Sequence, residues 1–485
     1  MPTLVDAQLR HAGHFQSVLE AAAYLYGQGE EGRAAGLSLA ESEWSNIEAG
    51  QRWAATRAGE EPGAAALCME FVEAGYELLD LRHQQEHIDW LDAGLIAARR
   101  LANRTAEGRY LGRLAWAYTA LGEVRRAIEL YEQSLAVARE TGDRLNEAKV
   151  LGDFGLAYSR LSDYRGALEK HEQSLALARE SGNLPGQATA LANIGTTYSQ
   201  LNDHQRALEF YKQSRDLSRE IGDRRGEGVT VGNMGMTYAD LGEIRRAIDC
   251  YEQALEIDRA LGHRRFQSSI LNSLGNAYAR LGEMRRAVQC YEEALRMARE
   301  VGDRFHEGVA LSSLGSHHFL SGDAARAVEY YEQALSLQRT LGDRRGEAMT
   351  LGNLGNAHLA TGDYRRAVEC YVQDLGIARE IGDLHGQASM LLNLGTVSVS
   401  AGEVNEGMSM VGQALHIARQ IGARDLEANA LHFSAHVFAA GGRRPQAVAA
   451  AAAALNIYAE LESPRAAEVR GLLAALSEPG RPAAD

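Results

Sequence analysis

Two histidines and a glutamate form a short segment whose spacing matches a metal-dependent catalytic motif. The string His83-Gln-Gln-Glu86-His87 has the H-x-x-E-H order of one class of zinc protease. Histidines at positions i and i+4 share one face of a helix and could hold zinc, with Glu86 as the general base. No third ligand is evident in the sequence, and the corresponding place in later segments holds arginines such as Arg125 and Arg126. We therefore expect no bound metal and no catalytic residue, and a zinc metalloenzyme is the function that we rank last.

The glycine-rich segments do not fit a nucleotide site. A P-loop needs glycines followed by Lys-Ser or Lys-Thr, and no lysine of the chain follows a glycine. The string Gly27-Gln-Gly29-Glu-Glu-Gly32 matches G-x-G-x-x-G, but a dinucleotide site requires a strand before it. Residues 19–26 are helical in character. We expect a loop at this string and no cofactor.

The composition excludes some classes of binding partner and some cellular locations. The 485 residues are 45% apolar and include 7 prolines, which fits a folded helical protein. The formal net charge of −15 argues against nucleic acid, because nucleic-acid binding depends on neutralising phosphates. No run of about 18 apolar residues is present, so we expect no membrane span. The N-terminal residues lack the pattern of a secretory signal, and the 4 cysteines are too few for a disulfide framework, so we expect a cytoplasmic location.

A repeat of 40 residues determines the elements that must position any site. The string Leu151-x-x-Phe154-Gly155-x-x-Tyr158 recurs in register at 191–198, 231–238 and 271–278. Such a period is typical of stacked supersecondary units that each contact their neighbours. Apolar residues spaced by three and four predict one helix before the turn Leu241-Gly242-Glu243 and a second helix after it. The glycine within the first helix is expected where a neighbouring helix approaches closely.

Charged residues recur at fixed places of the same period. Arginines recur at two positions, as in Arg126 and Arg206 and in Arg139 and Arg219, and glutamates such as Glu132, Glu147, Glu227 and Glu252 recur beside them. We interpret these residues as a solvated ladder of ion pairs between repeats, which requires no ligand.

The repeated residues resemble a known family. The pattern Leu-x-x-Leu-Gly-x-x-Tyr, followed by Ala247, Tyr251 and Ala254, is similar to the tetratricopeptide repeat (TPR). The period of 40 and the linker Gly-Asp-Arg-Arg-Gly-Glu at 222–227 and 342–347 resemble the longer-repeat subgroup typified by the Pins/LGN polarity adaptors. The resemblance implies an all-α fold, a right-handed superhelical α-solenoid of about ten helix-turn-helix units with helical caps.

The resemblance also suggests boundaries along the chain. We expect an N-terminal helical cap region over residues 1–70, a solenoid over 71–470, and a C-terminal cap end with a flexible tail over 471–485. The segment from Glu43 to Ala54 resembles the region that precedes the repeats in bacterial STAND signalling ATPases, although an ordinary cap helix explains it equally.

In TPR proteins the first helix of each unit lines a concave groove, and the resemblance implies the same here. Asparagines that recur in this helix match residues that contact an extended peptide in the Pins/LGN-like subgroup; a hydrogen bond between neighbouring helices is the alternative explanation. The predicted peptide- or partner-binding residues of the groove are Arg113, Trp116, Leu156, Arg160, Asn193, Asn233, Met236, Asn276, Asn353, Asn356 and Asn393.

The sequence favours two functions. The first is a non-enzymatic adaptor or scaffold that binds a peptide segment or a partner domain in the groove. The alternative is a regulatory or sensor subunit of a bacterial signalling or defence system, STAND-like or associated with a protease, that restrains or recruits an effector enzyme. Both predict a protein partner.

Overall fold

The structure, a computed structural model, describes residues 4–79 and 84–477. These residues form α-helices joined by short turns, and no β-strand occurs among them. The chain divides into two compact units, with the boundary between His263 and Arg264. The helical content and the helix-turn-helix order confirm the predicted all-α TPR solenoid.

The first unit contains twelve described helices. They are α1 (Leu4–Tyr26), α2 (Gly29–Arg57), α3 (Pro62–Leu79), α4 (Gln84–Arg100), α5 (Arg104–Ala120), α6 (Val124–Thr141), α7 (Arg144–Arg160), α8 (Tyr164–Glu180), α9 (Leu184–Gln200), α10 (His204–Glu220), α11 (Arg224–Asp240) and α12 (Ile244–Ala260). The string Gly27 to Gly32 therefore spans a turn and the start of α2, with helices on both sides. This is a correction to the predicted loop, and the strand that a dinucleotide site needs is not there.

The second unit contains eleven described helices. They are α13 (Arg264–Arg280), α14 (Met284–Glu300), α15 (Arg304–Leu320), α16 (Ala324–Leu341), α17 (Arg344–Ala360), α18 (Tyr364–Glu380), α19 (Leu384–Ser400), α20 (Val404–Ile421), α21 (Arg424–Ala440), α22 (Arg444–Glu460) and α23 (Arg465–Ser477). None of the described helices in either unit is long and apolar enough to cross a bilayer.

The turns end and begin the helices as the sequence predicts. Gly242, in the turn after α11, has a φ of +78°, in the left-handed region that glycine adopts without steric cost. At the other end of α11 the Asp223 side chain accepts a hydrogen bond from the backbone N–H of Gly226 at 2.9 Å. Such N-caps satisfy one of the free N–H groups of the first helical turn.

The glycine that most first helices have at one fixed position allows a close helix approach, as predicted. A Cβ added at Gly235 would lie 2.7 Å from Cε1 of Tyr251 on the second helix of the same pair. A Cβ added at Gly355 would lie closer still to Cε1 of Tyr371. Both distances are too short for two carbon atoms, so the two helices of these pairs lie closer than an alanine would permit. The first helices α5 and α21 have Ala115 and Ala435 at this position.

The ion pairs between repeats are confirmed, but the glutamates are buried and not solvated. Oε1 of Glu147 accepts a hydrogen bond from Nε of Arg139, on the preceding helix, at 2.8 Å, and Oε2 accepts one from Nη1 of Arg144, on its own helix, at 2.9 Å. Each oxygen of the buried carboxylate is therefore paired with one guanidinium, which offsets the cost of burying it. The same arrangement occurs at Arg99–Glu107–Arg104, Arg219–Glu227–Arg224, Arg299–Glu307–Arg304, Arg339–Glu347–Arg344 and Arg419–Glu427–Arg424.

The cysteines are free thiols. Cys68, Cys250 and Cys370 are buried and Cys290 is half-buried. Burial raises the pKa of the Cys250 and Cys370 thiols to about 11, so these thiols are protonated and weakly reactive near neutral pH.

Candidate partner-binding surface

The histidine–glutamate segment is built into the helix packing. Oε1 of Glu86 accepts a hydrogen bond from the Trp44 indole N–H at 3.1 Å. The His87 ring is buried with its edge against Tyr76, with ring centroids 5.3 Å apart. His83 lies outside the described residues. Within the described ranges no group of three or more His, Cys, Asp or Glu could hold a metal ion.

A pocket of about 360 Å³ lies on the first-helix side of the first unit. It is formed by α3, α5 and α7, the first helices of three successive pairs, and it contains two of the predicted groove residues, Arg113 and Trp116. Trp116 is 39% exposed, which is high for the largest apolar side chain. The remaining lining residues are Tyr76, Arg109, Gly112, Asp143, Leu145, Asn146, Lys149, Val150 and Asp153.

Arg113 is held rigidly in this pocket. Its guanidinium lies over the Tyr76 ring at 4.1 Å from the centroid, and its Nη2 donates to Oε2 of Glu73 at 3.1 Å. Its Nη1 is buried and has no hydrogen-bond partner among the described residues. A buried guanidinium N–H without an acceptor is costly, so this atom favours a ligand that supplies an oxygen.

Asp153 lies in the same pocket, at the repeat position that asparagine occupies in Asn193 and Asn233. Burial raises the pKa of its carboxyl to about 6, and the charge of Lys149 opposes that rise. The carboxyl therefore changes charge in a range close to physiological pH.

Two of the predicted asparagines have a structural partner. Oδ1 of Asn276 accepts a hydrogen bond from the Tyr291 hydroxyl at 2.7 Å, and Oδ1 of Asn356 accepts one from the Tyr371 hydroxyl at 2.7 Å. The alternative explanation, a hydrogen bond between neighbouring helices, therefore holds for these two residues. Thr196 and Ser316 accept from a tyrosine at the same repeat position.

The remaining predicted residues are accessible in varying degree. The Asn193, Asn233, Asn353 and Asn393 side chains are half-buried and make no hydrogen bond to another described residue; Leu156 is half-buried, and Arg160 and Met236 are exposed. Nothing in the geometry shows which of these side chains contacts a partner, so the predicted set stays a prediction.

A second pocket, of about 670 Å³, lies in the second unit and contains two of the predicted groove residues, Asn276 and Asn353. The first helices α13, α15 and α17 line it, together with Met284, Tyr291 and Gln338 from second helices. Two residues of this pocket differ from the repeat pattern. Asn272 and Gln338 occupy positions where most repeats have glycine or alanine.

The helix pairs, the glycine–tyrosine contacts and the turns together define an α-solenoid of TPR type. Comparison with family models agrees, because the tetratricopeptide repeat model matches residues 107–180, 146–220, 226–300 and 306–380. These matches span more than half of the chain, and the chain belongs to the tetratricopeptide repeat family. A model of anaphase-promoting complex subunit 5 matches residues 355–440, which is a minor part of the chain. No curated protein matches the sequence.

Solved structures share the fold at low sequence identity. A STAND protein with a tetratricopeptide repeat sensor from Pyrococcus horikoshii is 15% identical with a TM-score of 0.54, over 75% of this chain and 54% of that chain. This chain therefore corresponds to about half of that protein. BtubC from P. vanneervenii is 22% identical, with a TM-score of 0.41 over 46% of this chain and 93% of that one. The apo quorum sensor NprR from B. thuringiensis is 14% identical, with a TM-score of 0.46 over 79% and 99%. Likeness at this level shows the fold alone.

Proposed function

We propose that the protein is a non-enzymatic interaction scaffold that binds a peptide segment or a domain of a partner protein on its first-helix surface. Residues 71–470 are the partner-binding solenoid in this proposal, and 1–70 and 471–485 flank it. The partner is a protein and not nucleic acid, because the net charge of −15 repels phosphates. The free, buried thiols fit a reducing compartment such as the cytoplasm.

The observation that carries the proposal is the pocket at Arg113 and Trp116. An exposed indole beside a rigid guanidinium with an unsatisfied N–H offers an apolar contact and a hydrogen-bond donor in one place. Tryptophan and arginine are enriched among the residues that dominate protein–protein binding energy. An acidic or carbonyl-bearing segment with an adjacent apolar side chain matches both groups.

Site-specific photo-crosslinking tests the proposal. A photoreactive amino acid is placed at Trp116 or Met236, both exposed on first helices, and at Gln133, which is exposed on the second helix α6 and serves as the matched control. We expect crosslinks to one partner protein from positions 116 and 236 and few from 133. Equal crosslinking from all three positions, or none from 116 and 236, contradicts the proposal. Mass spectrometry of the crosslinked partner then distinguishes an adaptor function from the regulation of an effector enzyme.

A further inference from the structure

The pocket of the second unit combines an apolar rim with a polar wall. Leu320 is 74% exposed and Met349 is 63% exposed, and Phe305 lies beside them on the lining. In the neighbouring repeats the corresponding residues are Arg265 and Arg345 for Phe305, Arg280 and Ala360 for Leu320, and Val309 and Ser389 for Met349. Three large apolar side chains at one mouth form an exposed patch of the kind that marks an interaction site.

The polar wall contains two buried amide oxygens without a donor. Asn272 is 9% exposed and Gln338 is 5% exposed. Neither Oδ1 of Asn272 nor Oε1 of Gln338 has a hydrogen-bond partner among the described residues. Buried acceptors are almost always paired in folded proteins, so two unpaired oxygens on one pocket call for donors from outside the fold.

The repeats themselves provide the comparison for Asn272. Its position is filled by a small residue in most other units, and a glycine or alanine there satisfies the packing. Six of the nine other repeats have a small residue here, namely Gly112, Gly152, Ala192, Gly232, Ser312 and Gly352, and the other three have Val72, Leu392 and His432.

Gln338 also differs from the residue that most repeats have at its position. Alanine fills this position in six other units, namely Ala98, Ala138, Ala178, Ala298, Ala378 and Ala418. Helix packing therefore does not require an amide at either place, and both amides occur beside the same pocket.

The charged residues of the lining, Arg280, Arg345 and Asp343, favour a neutral hydrogen-bond donor over a cationic one. Asp343 is the carboxylate of this pocket, and its Oδ1 is already engaged by the backbone N–H of Gly346 at 2.9 Å, which caps α17. The two free acceptors are neutral amide oxygens, which match neutral N–H donors better than an ammonium group. A peptide in extended conformation presents such N–H groups next to an apolar side chain.

We propose that this pocket, the Asn272–Gln338 pocket, binds an extended peptide segment of the partner. An apolar side chain of that segment packs against Phe305, Leu320 and Met349, and its N–H groups donate to Asn272 Oδ1 and Gln338 Oε1. This proposal rests on the proposed function, because the ligand is a peptide segment of the partner protein. It adds the location of the binding site and the atoms that bind the segment.

The experiment uses two small probes and the full-length protein. N-acetyl-leucine N-methylamide carries an apolar side chain and two N–H donors, and N-acetyl-leucine methyl ester lacks one of those donors. Ligand-observed NMR titration should show about fivefold tighter binding of the amide to the unchanged protein, the effect of one hydrogen bond. Gln338→Met or Asn272→Leu, which keep the side-chain shape, should reduce that preference, and combining them should abolish it. Gln333→Met, on the exposed side of the same helix α16, should preserve it.

Thermal unfolding separates a ligand-binding role from a structural one. Gln338→Met removes an unpaired acceptor, so we expect the melting temperature to rise or stay unchanged while the amide preference falls. A lower melting temperature with an unchanged preference overturns the proposal, because the oxygen is then part of the fold. Equal binding of amide and ester to the unchanged protein also overturns it. Self-association that Phe305→Glu abolishes overturns it as well, since a second copy would then occupy the pocket.

The two proposals fail independently. Crosslinking at Trp116 and Met236 tests residues of the first unit, whereas the probe titration tests the second unit. Crosslinks without an amide preference support the scaffold function and refute the Asn272–Gln338 pocket as a peptide site. An amide preference without crosslinks refutes partner binding at the first unit and supports the pocket as a site for amide N–H donors.

Discussion

Two glycines in the same helix should respond to alanine in opposite directions. Gly232 and Gly235 both lie inside α11, three positions apart. A Cβ at Gly232 would meet no atom of the described chain within 4 Å beyond its own helix backbone. A Cβ at Gly235 would lie 2.7 Å from Cε1 and 2.8 Å from Cδ1 of Tyr251. One substitution therefore removes backbone freedom alone, and the other forces two packed helices apart.

The expected magnitudes follow from these contacts. Gly232→Ala should stabilise the local structure by about 0.5–1 kcal/mol, because alanine has the higher helix propensity. Gly235→Ala gains the same propensity but overpacks a rigid core at Tyr251, which costs about 3 kcal/mol at the upper end of the usual range. The net loss at Gly235 is then about 2 kcal/mol.

Hydrogen-exchange mass spectrometry measures the effect where it acts. Peptides from α11 and α12 should exchange about two- to fivefold more slowly in Gly232→Ala and about thirtyfold faster in Gly235→Ala. Peptides from α3 and α4, four pairs away, serve as the internal control and should not change. Exchange must be measured helix by helix because a long repeat array need not unfold in one step.

The reasoning is refuted if both variants shift exchange in the same direction. It is also refuted if Gly235→Ala is neutral, because the close approach of the two helices would then not depend on the missing Cβ.

Three further predictions concern buried polar groups. Burial lowers the pKa of His171 to about 4, so its contribution to stability is full above pH ~6.5 and falls by about 3 kcal/mol as the pH drops towards 4. His171→Phe should flatten this dependence in urea unfolding; an unchanged pH profile contradicts the assignment. Burial raises the pKa of Asp374 to about 7, so stability is full below pH ~3.9 and falls by about 4 kcal/mol as the pH rises through 7. Asp374→Ser should therefore be more stable than the unchanged protein at pH 8 and not at pH 3.5, and equal stability at both values argues against it. Asn356→Ala should cost about 1–3 kcal/mol by leaving the Tyr371 hydroxyl without its acceptor, whereas Asn353→Ala should change the melting temperature little. Equal losses for the two asparagine variants would show that the hydrogen bond contributes nothing.

The sequence predicted the helix pairs because their causes are local or periodic. A turn glycine such as Gly242 and an N-cap such as Asp223 act within a few residues, and the glycine–tyrosine contact recurs at a fixed spacing. Each repeat therefore carries the same local signals, and their recurrence makes the pattern clear.

The depth at which charges lie was harder to predict. The recurring arginines and glutamates predict solvated ion pairs, yet Glu147 is buried beneath the guanidinium groups of Arg139 and Arg144. Burial depends on how successive pairs stack, and the spacing along one chain segment does not record it.

The structure places part of the predicted set together. Arg113 and Trp116 line one pocket because they lie three positions apart on the same side of α5. Asn276 and Asn356 are held by a tyrosine fifteen residues along the chain, a pairing visible in the sequence once the second helix is aligned with the first. The Asn272–Gln338 pocket includes the predicted residues Asn276 and Asn353, but Asn272 and Gln338 themselves were not predicted, because they differ from the residues that recur at their positions.

The measurement that tests the central claim most directly is the affinity of the crosslinked partner segment. Synthesised as a peptide, it is titrated into the unchanged protein, into Trp116→Ala, and into Gln133→Ala as the control on the second helix α6. The account predicts at least a tenfold weaker Kd for Trp116→Ala, a loss of about 1.4 kcal/mol or more, with Gln133→Ala unchanged. Equal affinities for all three proteins would contradict the assignment of partner binding to the first-helix surface.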